Sequence, residues 1–258
     1  MLGGPGPVLP GRIASMVDLH CHLLPEVDDG ASSWEMSEEM CRVAAEDGIT
    51  HIVATPHAND EYVYDRERHA ETVRELSVRV GTVPQISLGC DFHFSYENVQ
   101  AALADPARYT IGATAYLLIE LSDYSVPPNI LSNFQQLMGK GLRLVLTHPE
   151  RNPLLQRRPQ RVLEWVREGV IVQVTANALT GAWGRTAQQV ASWLLEHDAV
   201  HVVASDAHDP VRRPPRLSVA RDLLEERRGQ EVATALVETN PGAIVRGSDL
   251  PYFPAPLR

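Results

Sequence analysis

The sequence predicts an α/β protein built as a seven-stranded β/α barrel, and three observations carry that expectation. Short, continuously apolar, β-branched runs alternate with stretches of helical periodicity, the pattern of a parallel sheet covered by helices. Seven such units follow one another with no obvious linker between them. Histidines, carboxylates and arginines gather at the C-terminal ends of the apolar runs, where a β/α barrel carries its functional side chains. No G-x-G-x-x-G follows the first run, which argues against an open dinucleotide-binding sheet.

Residues 1–15, rich in Gly and Pro, lack the charged start and apolar centre of a signal peptide and read as a disordered leader to a single domain over 16–258. Strand 16–20 opens that domain. Helix 34–47 follows, with a capping box from Ser32 and Glu35, an apolar stripe of Met36, Met40 and Val43, and Gly48 as its stop. Strand 49–54 then precedes helix 66–80, strand 86–91 precedes helix 97–104, and strand 115–121 precedes helix 128–140. Strand 142–147 leads to helix 159–168, strand 170–175 to helix 185–197, and strand 199–205 to helix 216–228 with a short helix at 230–238.

Composition narrows the function. With 258 residues, 44% of them hydrophobic and 22% charged, the chain suits one large core. A net charge of −10 and a single lysine, Lys140, argue against nucleic acid or an anionic membrane as partner. Three cysteines without framework spacing suit a reducing, cytoplasmic setting, and no apolar run is long enough to enter a bilayer. A cysteine-dependent phosphatase is excluded, because Val27, Asp47 and Tyr96 stand six residues beyond Cys21, Cys41 and Cys90, where an arginine is needed.

The chemistry sits at the strand ends. "VDLHCHLLPEVDDG" (17–30) supplies His20, His22, Asp28 and Asp29; "ATPHAND" supplies His57; "GCDFHF" supplies Asp91 and His93. Glu120 lies in "LLIEL", His148 and Arg151 lie in "LTHPERN", and Asp206 and His208 lie in "ASDAHD". Two residues apart on a strand, His20 and His22 share a face, which in a barrel is the inside. Imidazoles mixed with carboxylates and no thiolate suit borderline or hard divalent cations, and this many donors suggest more than one ion. Arg151 suits a forked grip on phosphate oxygens, and Arg213, in "RRPP", either shares it or is an ordinary solvated arginine. Glu150 reads as a local partner of Arg151. Thr175 and Asn177 line the pocket or cap the next helix, and Cys21 points away from its flanking histidines. His51, His69, His197 and His201 receive no role.

Taken in order, these motifs resemble the PHP (polymerase and histidinol phosphatase) superfamily, and among its members the bacterial protein-tyrosine phosphatases of capsular and exopolysaccharide synthesis. "DLHCHLLPEVDDGA", "LTHPERN", "ASDAHDPVRRPP" and "NPGAIVRG" carry the resemblance, which spans residues 16 to about 247. It implies a distorted seven-stranded barrel holding two or three divalent metals, Mn foremost, with Fe, Zn or Mg as alternatives. The matching ligands are His20, His22, Asp29, His57, Asp91, His148, Asp206 and His208, with Asp28 as the alternative to Asp29. Arg151 and Arg213 match phosphate-contacting arginines, and Glu120 an active-site acid. One position departs: Asp91 stands where the family usually has glutamate. The implied activity is hydrolysis of phosphotyrosine by a hydroxide made at the metals. The implied partner is a phosphotyrosine protein such as the tyrosine-rich tail of a polysaccharide co-polymerase kinase, and an oligomer is compatible with it. Competing readings are a histidinol-phosphate or nucleotide phosphomonoesterase and a non-catalytic PHP module. A metal-dependent amidohydrolase with a bridging lysine is disfavoured, because Lys140 precedes a strand rather than ending one.

Overall fold

A computed structural model describes residues 15–254 and 256; the expected leader lies outside them except for Ser15. Nine short parallel strands stand among the described residues, eight at the seven expected positions and one, β3, outside them: β1 Met16–Cys21, β2 Ile49–Ala54, β3 His57–Ala58, β4 Gln85–Leu88, β5 Asp91–His93, β6 Tyr116–Glu120, β7 Arg143–Thr147, β8 Ile171–Thr175 and β9 Val202–Ala204. The helices are α1 Trp34–Glu46, α2 Arg66–Val80, α3 Tyr96–Ala104, α4 Ile130–Gly139, α5 Pro153–Gln156, α6 Gln160–Arg167, α7 Ala176–Thr180, α8 Arg185–Glu196, α9 Ser218–Arg228, α10 Gln230–Thr234 and α11 Asn240–Arg246.

The expected closed sheet is corrected. The described strands form two sheets, β1-β2-β4 and β3-β5-β6-β7-β8-β9, and they do not close into one ladder. Pairing breaks where β2 gives way to β3 at Thr55-Pro56, and where β4 gives way to β5 at Gly89-Cys90. Pro56 has no N–H to offer a ladder. A Cβ on Gly89 would stand 2.8 Å from Val53, so the chain turns there at a distance only glycine permits. The expected strand 86–91 is therefore two strands. Between β1 and the chain beyond β9 there is one isolated bridge, Cys21 to Ala207, flanked by amide hydrogen bonds of 2.8 Å from His22 to Ala207 and from Asp206 to His20.

Helix boundaries follow local chemistry. Ser33, not Ser32, caps α1, accepting a hydrogen bond from the Met36 amide, and Asp65 and Ser95 cap α2 and α3 in the same way. The sequence reading omitted α5 and α7, each a single turn started by a capping side chain, Asn152 and Thr175 respectively. The expected helix 230–238 is α10 followed by a π-helical segment, Ala235–Thr239, that runs into α11.

Two apolar cores result. The larger lies between strands and helices; the smaller fills the lower interior with Val17, Leu19, Tyr116, Leu118, Val145, Ile171 and Val202. Above this inner core the same strands turn polar, and that change of chemistry along each strand positions the site.

Candidate metal centre

On β1 the ladder register shifts between Asp18 and Cys21. Such an irregularity resets the alternation of a strand. Val17 and Leu19 therefore join the inner core, while His20 and His22, both buried, enter the space above it. Their Nε2 atoms lie 3.2 Å apart. Asp91 on β5 and Asp206 beyond β9 face them: Asp91 Oδ2 and Asp206 Oδ1 each lie 3.6 Å from His20 Nε2, and Asp206 Oδ1 lies 3.5 Å from His22 Nε2.

The loop after β1 gives the two aspartates different contacts. Asp28 Oδ2 accepts from His22 Nδ1 at 2.8 Å and from the His57 amide at 3.1 Å, so it orients a histidine. Asp29, whose side chain is 49% exposed, brings Oδ1 to 3.4 Å from both His57 Nε2 and His208 Nε2. Gly30 lets the loop press back: a Cβ there would stand 2.2 Å from the His22 carbonyl oxygen. On the other side, Glu120 lies 3.8 Å from His57 Nδ1, 3.6 Å from His93 Nδ1 and 3.7 Å from His148 Nε2. His148 and Asp206 adopt φ of +31° and +53°, backbone conformations that non-glycine residues hold only where their surroundings impose them.

Three donor groups emerge, each with ligand atoms within 4.8 Å of one another: His22, Asp29, His57 and His208; His20, His22 and Asp91; and His57, Asp91 and Glu120. Neither buried oxygen of Asp91 accepts a hydrogen bond of good geometry, and buried His57 Nδ1 also lacks one. Buried polar atoms left in that state cost free energy, and divalent cations fit this mixture of imidazole nitrogen and carboxylate oxygen. The shorter Asp91 spans both sides despite replacing glutamate, its Oδ2 lying 3.2 Å from His57 Nδ1 as well as near His20.

The electrostatics are those of a site prepared for cations. Hydrogen bonds from His208 and His57 hold Asp29 well below the usual carboxylate range. Burial, then the charge of Arg151, pushes His148 far down; burial, then His22, pushes His208 down to about 3. Deprotonated carboxylates and neutral imidazoles are the states metal ligation requires. His57 differs: burial opposes its charge, but hydrogen bonds to Asp29 and Asp91 raise it to about 11.

Both arginines reach this centre. Arg151 Nη1 and Arg213 Nη2 each pair with Asp206 Oδ2, the latter at 2.9 Å. Glu150, expected as the partner of Arg151, instead buries its carboxylate against Thr175, whose amide and hydroxyl both donate to Oε1 at 2.8 Å. Thr175 is thus a cap. Lys140 ends α4 before β7, away from these strand ends. All three cysteines are buried, and burial raises each thiol, Cys41 to about 12.

Sequence reasoning missed two residues. Gln173 Oε1 lies 3.1 Å from His20 Nδ1, and Trp183 underlies both arginines. The first had a signal, a lone amide inside the apolar run "IVQVT"; the second, in "GAWG", had none.

Comparison with known proteins agrees with this geometry. The chain is 35% identical over 227 residues to the tyrosine-protein phosphatase YwqE of Bacillus subtilis, covering 86% of this chain and 89% of that protein. It is 28% identical over 239 residues to the tyrosine-protein phosphatase CpsB of Streptococcus pneumoniae, covering 89% and 98%. Among solved structures, one from a study of YwqE and CpsB, described as unique metal-dependent tyrosine phosphatases, superposes with a TM-score of 0.85 and 31% identity over 94% of this chain and all of that one. A phosphotriesterase homology protein from Escherichia coli shares the fold alone, with a TM-score of 0.56 and 11% identity over 89% of this chain and 98% of that one. Residues 16–246 match the family described as capsular polysaccharide synthesis, CpsB/CapC, and the chain belongs to that family.

Proposed function

We propose that this protein is a metal-dependent protein-tyrosine phosphatase acting in capsular or exopolysaccharide synthesis, its domain running over 16–258. The observation that carries the reading is Asp206, whose Oδ2 pairs with both arginines while its Oδ1 lies 3.6 Å from His20 and 3.5 Å from His22, members of the donor groups. A cation site beside paired guanidiniums is what a phosphoryl group demands. Relatives named as tyrosine-protein phosphatases support the substrate class.

Two or three divalent ions, manganese first among them, are assigned to His20, His22, Asp91 and Asp206, to Asp29, His57 and His208, and to Asp91, Glu120 and His148. Such ions lower the pKa of a water and neutralise charge on phosphoryl oxygens. The chain's own residues do the rest. Arg151 and Arg213 orient the phosphate oxygens, and Asp28 and Gln173 fix the rings of His22 and His20. Glu120, set among three histidines, is assigned to metal holding rather than to proton donation. Tyrosinate, with a pKa near ~10, leaves without a strong general acid.

No helix among the described residues is long and apolar enough to cross a membrane. We place the enzyme in the cytoplasm, acting on a phosphotyrosine protein such as the tail of a polysaccharide co-polymerase kinase. The test is elemental analysis joined to turnover of a phosphotyrosyl peptide and of histidinol phosphate by one manganese-supplemented preparation. Faster cleavage of the peptide is expected; faster cleavage of histidinol phosphate would replace the reading with a small-molecule phosphatase.

A further inference from the structure

Arg151 and Arg213 present a physical problem. Two guanidiniums of like charge, both largely buried, converge on the same oxygen of Asp206. Each is pushed below its ordinary pKa, first by burial, and for Arg151 next by its neighbour Arg213. Asp206 alone is a poor anchor, because its other oxygen faces His20 and His22, with which it is proposed to hold a metal ion. A second carboxylate would hold the arginines better but would repel the phosphate they are meant to bind.

Trp183 resolves this. The Arg151 guanidinium carbon stands 4.2 Å from the centre of the indole, and that of Arg213 stands 4.9 Å from it. An aromatic face attracts cations through its quadrupole and carries no net charge. The ring's other contacts are with the outer apolar core, and its buried Nε1 makes no hydrogen bond, so packing sets its place. Its backbone is held in the turn between α7 and α8: the Trp183 amide donates to the Asn177 carbonyl, and the flanking Gly181 and Gly184 have φ of +89° and +85°. Arg213 Nε is buried and without a hydrogen-bond partner, so the indole is its neighbour in place of a second anion.

We propose that Trp183 is a positioning residue for phosphate capture, holding Arg151 and Arg213 against its indole ring without adding a negative charge to the site. The inference rests on the reading of these arginines as the phosphate-binding pair. It assigns the stretch "GAWG" a role in substrate affinity.

The test uses the manganese-loaded full chain and the variants Trp183→Phe, Trp183→Leu, Trp183→Ala and Arg151→Ala. Inorganic phosphate is titrated calorimetrically, phosphotyrosyl-peptide turnover is followed in parallel, and metal content and melting temperature are measured for each variant. Trp183→Leu and Trp183→Ala should weaken phosphate binding and kcat/KM about tenfold, equivalent to about 1.4 kcal/mol, with metal content unchanged. Trp183→Phe, which keeps an aromatic face, should stay within about threefold of the parent. Should Trp183→Ala fail to fold, the Phe and Leu pair decides the matter. Wild-type phosphate affinity in Trp183→Leu, with affinity lost in Arg151→Ala, overturns the role of Trp183 alone. Wild-type affinity in Arg151→Ala overturns the phosphate-binding arginines themselves and this inference with them.

Discussion

Two sets of histidines divide the molecule. His20, His22, His57, His93, His148 and His208 meet at the C-terminal ends of the strands, while His51, His69, His197 and His201 lie elsewhere. Burial does not separate them, for His201 is as fully buried as His20, and His69 is less exposed than His148. Company does. His51 pairs with the Ser87 hydroxyl at 2.8 Å, His197 with the Trp193 carbonyl at 2.8 Å, and His201 accepts from the Val172 amide at 3.1 Å. Every member of the first set instead has a carboxylate within 4 Å, and one of those carboxylates, Asp91, accepts no good hydrogen bond. The histidines of the first set are thus marked by the carboxylates around them, whereas His51, His197 and His201 each have a neutral partner.

The largest test of that division is His22→Ala, which removes a donor shared by two of the groups. It should lower kcat/KM on the order of 10³-fold and reduce bound metal by elemental analysis, with far-UV circular dichroism retained. Next, Asp28→Asn keeps the shape of the contact to His22 but removes its charge. Metal affinity by competition with a fluorescent chelator should fall about 10- to 100-fold, while saturating manganese restores turnover.

His201 offers the converse. Burial pushes its pKa from 6.5 down to about 3, so the fold requires the neutral ring. Its contribution is complete above about pH 6.5 and declines as pH falls toward 3, by about 2 kcal/mol at pH 5. Denaturant melts of His201→Gln should therefore lose less stability between pH 7 and pH 5 than the parent does, and a parallel loss in both would assign acid sensitivity to the metal cluster instead. Smallest, His51→Ala should cost no more than about 1 kcal/mol and leave turnover and metal content unchanged.

Much of this was legible from residue order. The apolar runs located the strand positions except the two-residue β3, and the expectation that barrel side chains act from strand ends picked out His20, His22, His57, Asp91 and His208, which the fold brings close together. What escaped depended on distances between units. Pro56 and Gly89 were visible, but their breaking of one sheet into two follows from how closely β2 and β4 approach. The capping preference of serine could not separate Ser32 from Ser33, since both precede the same helix. Asp28 and Asp29 became distinguishable only once Gly30 pressed the loop against His22. Glu150 sat beside Arg151 in sequence yet turned to Thr175, because chain neighbours in a tight loop face different ways.

The bridge between Cys21 and Ala207 gives the centre a place in time. His20 and His22 leave the ribosome early, Asp206 and His208 some 186 residues later, the difference between positions 22 and 208. The second donor pair for the opening strand is therefore made last, and no truncated or stalled chain ending before it can assemble the full ligand set. On the metal assignment proposed above, full loading requires the chain through His208, so bound metal would report that translation has passed the ninth strand.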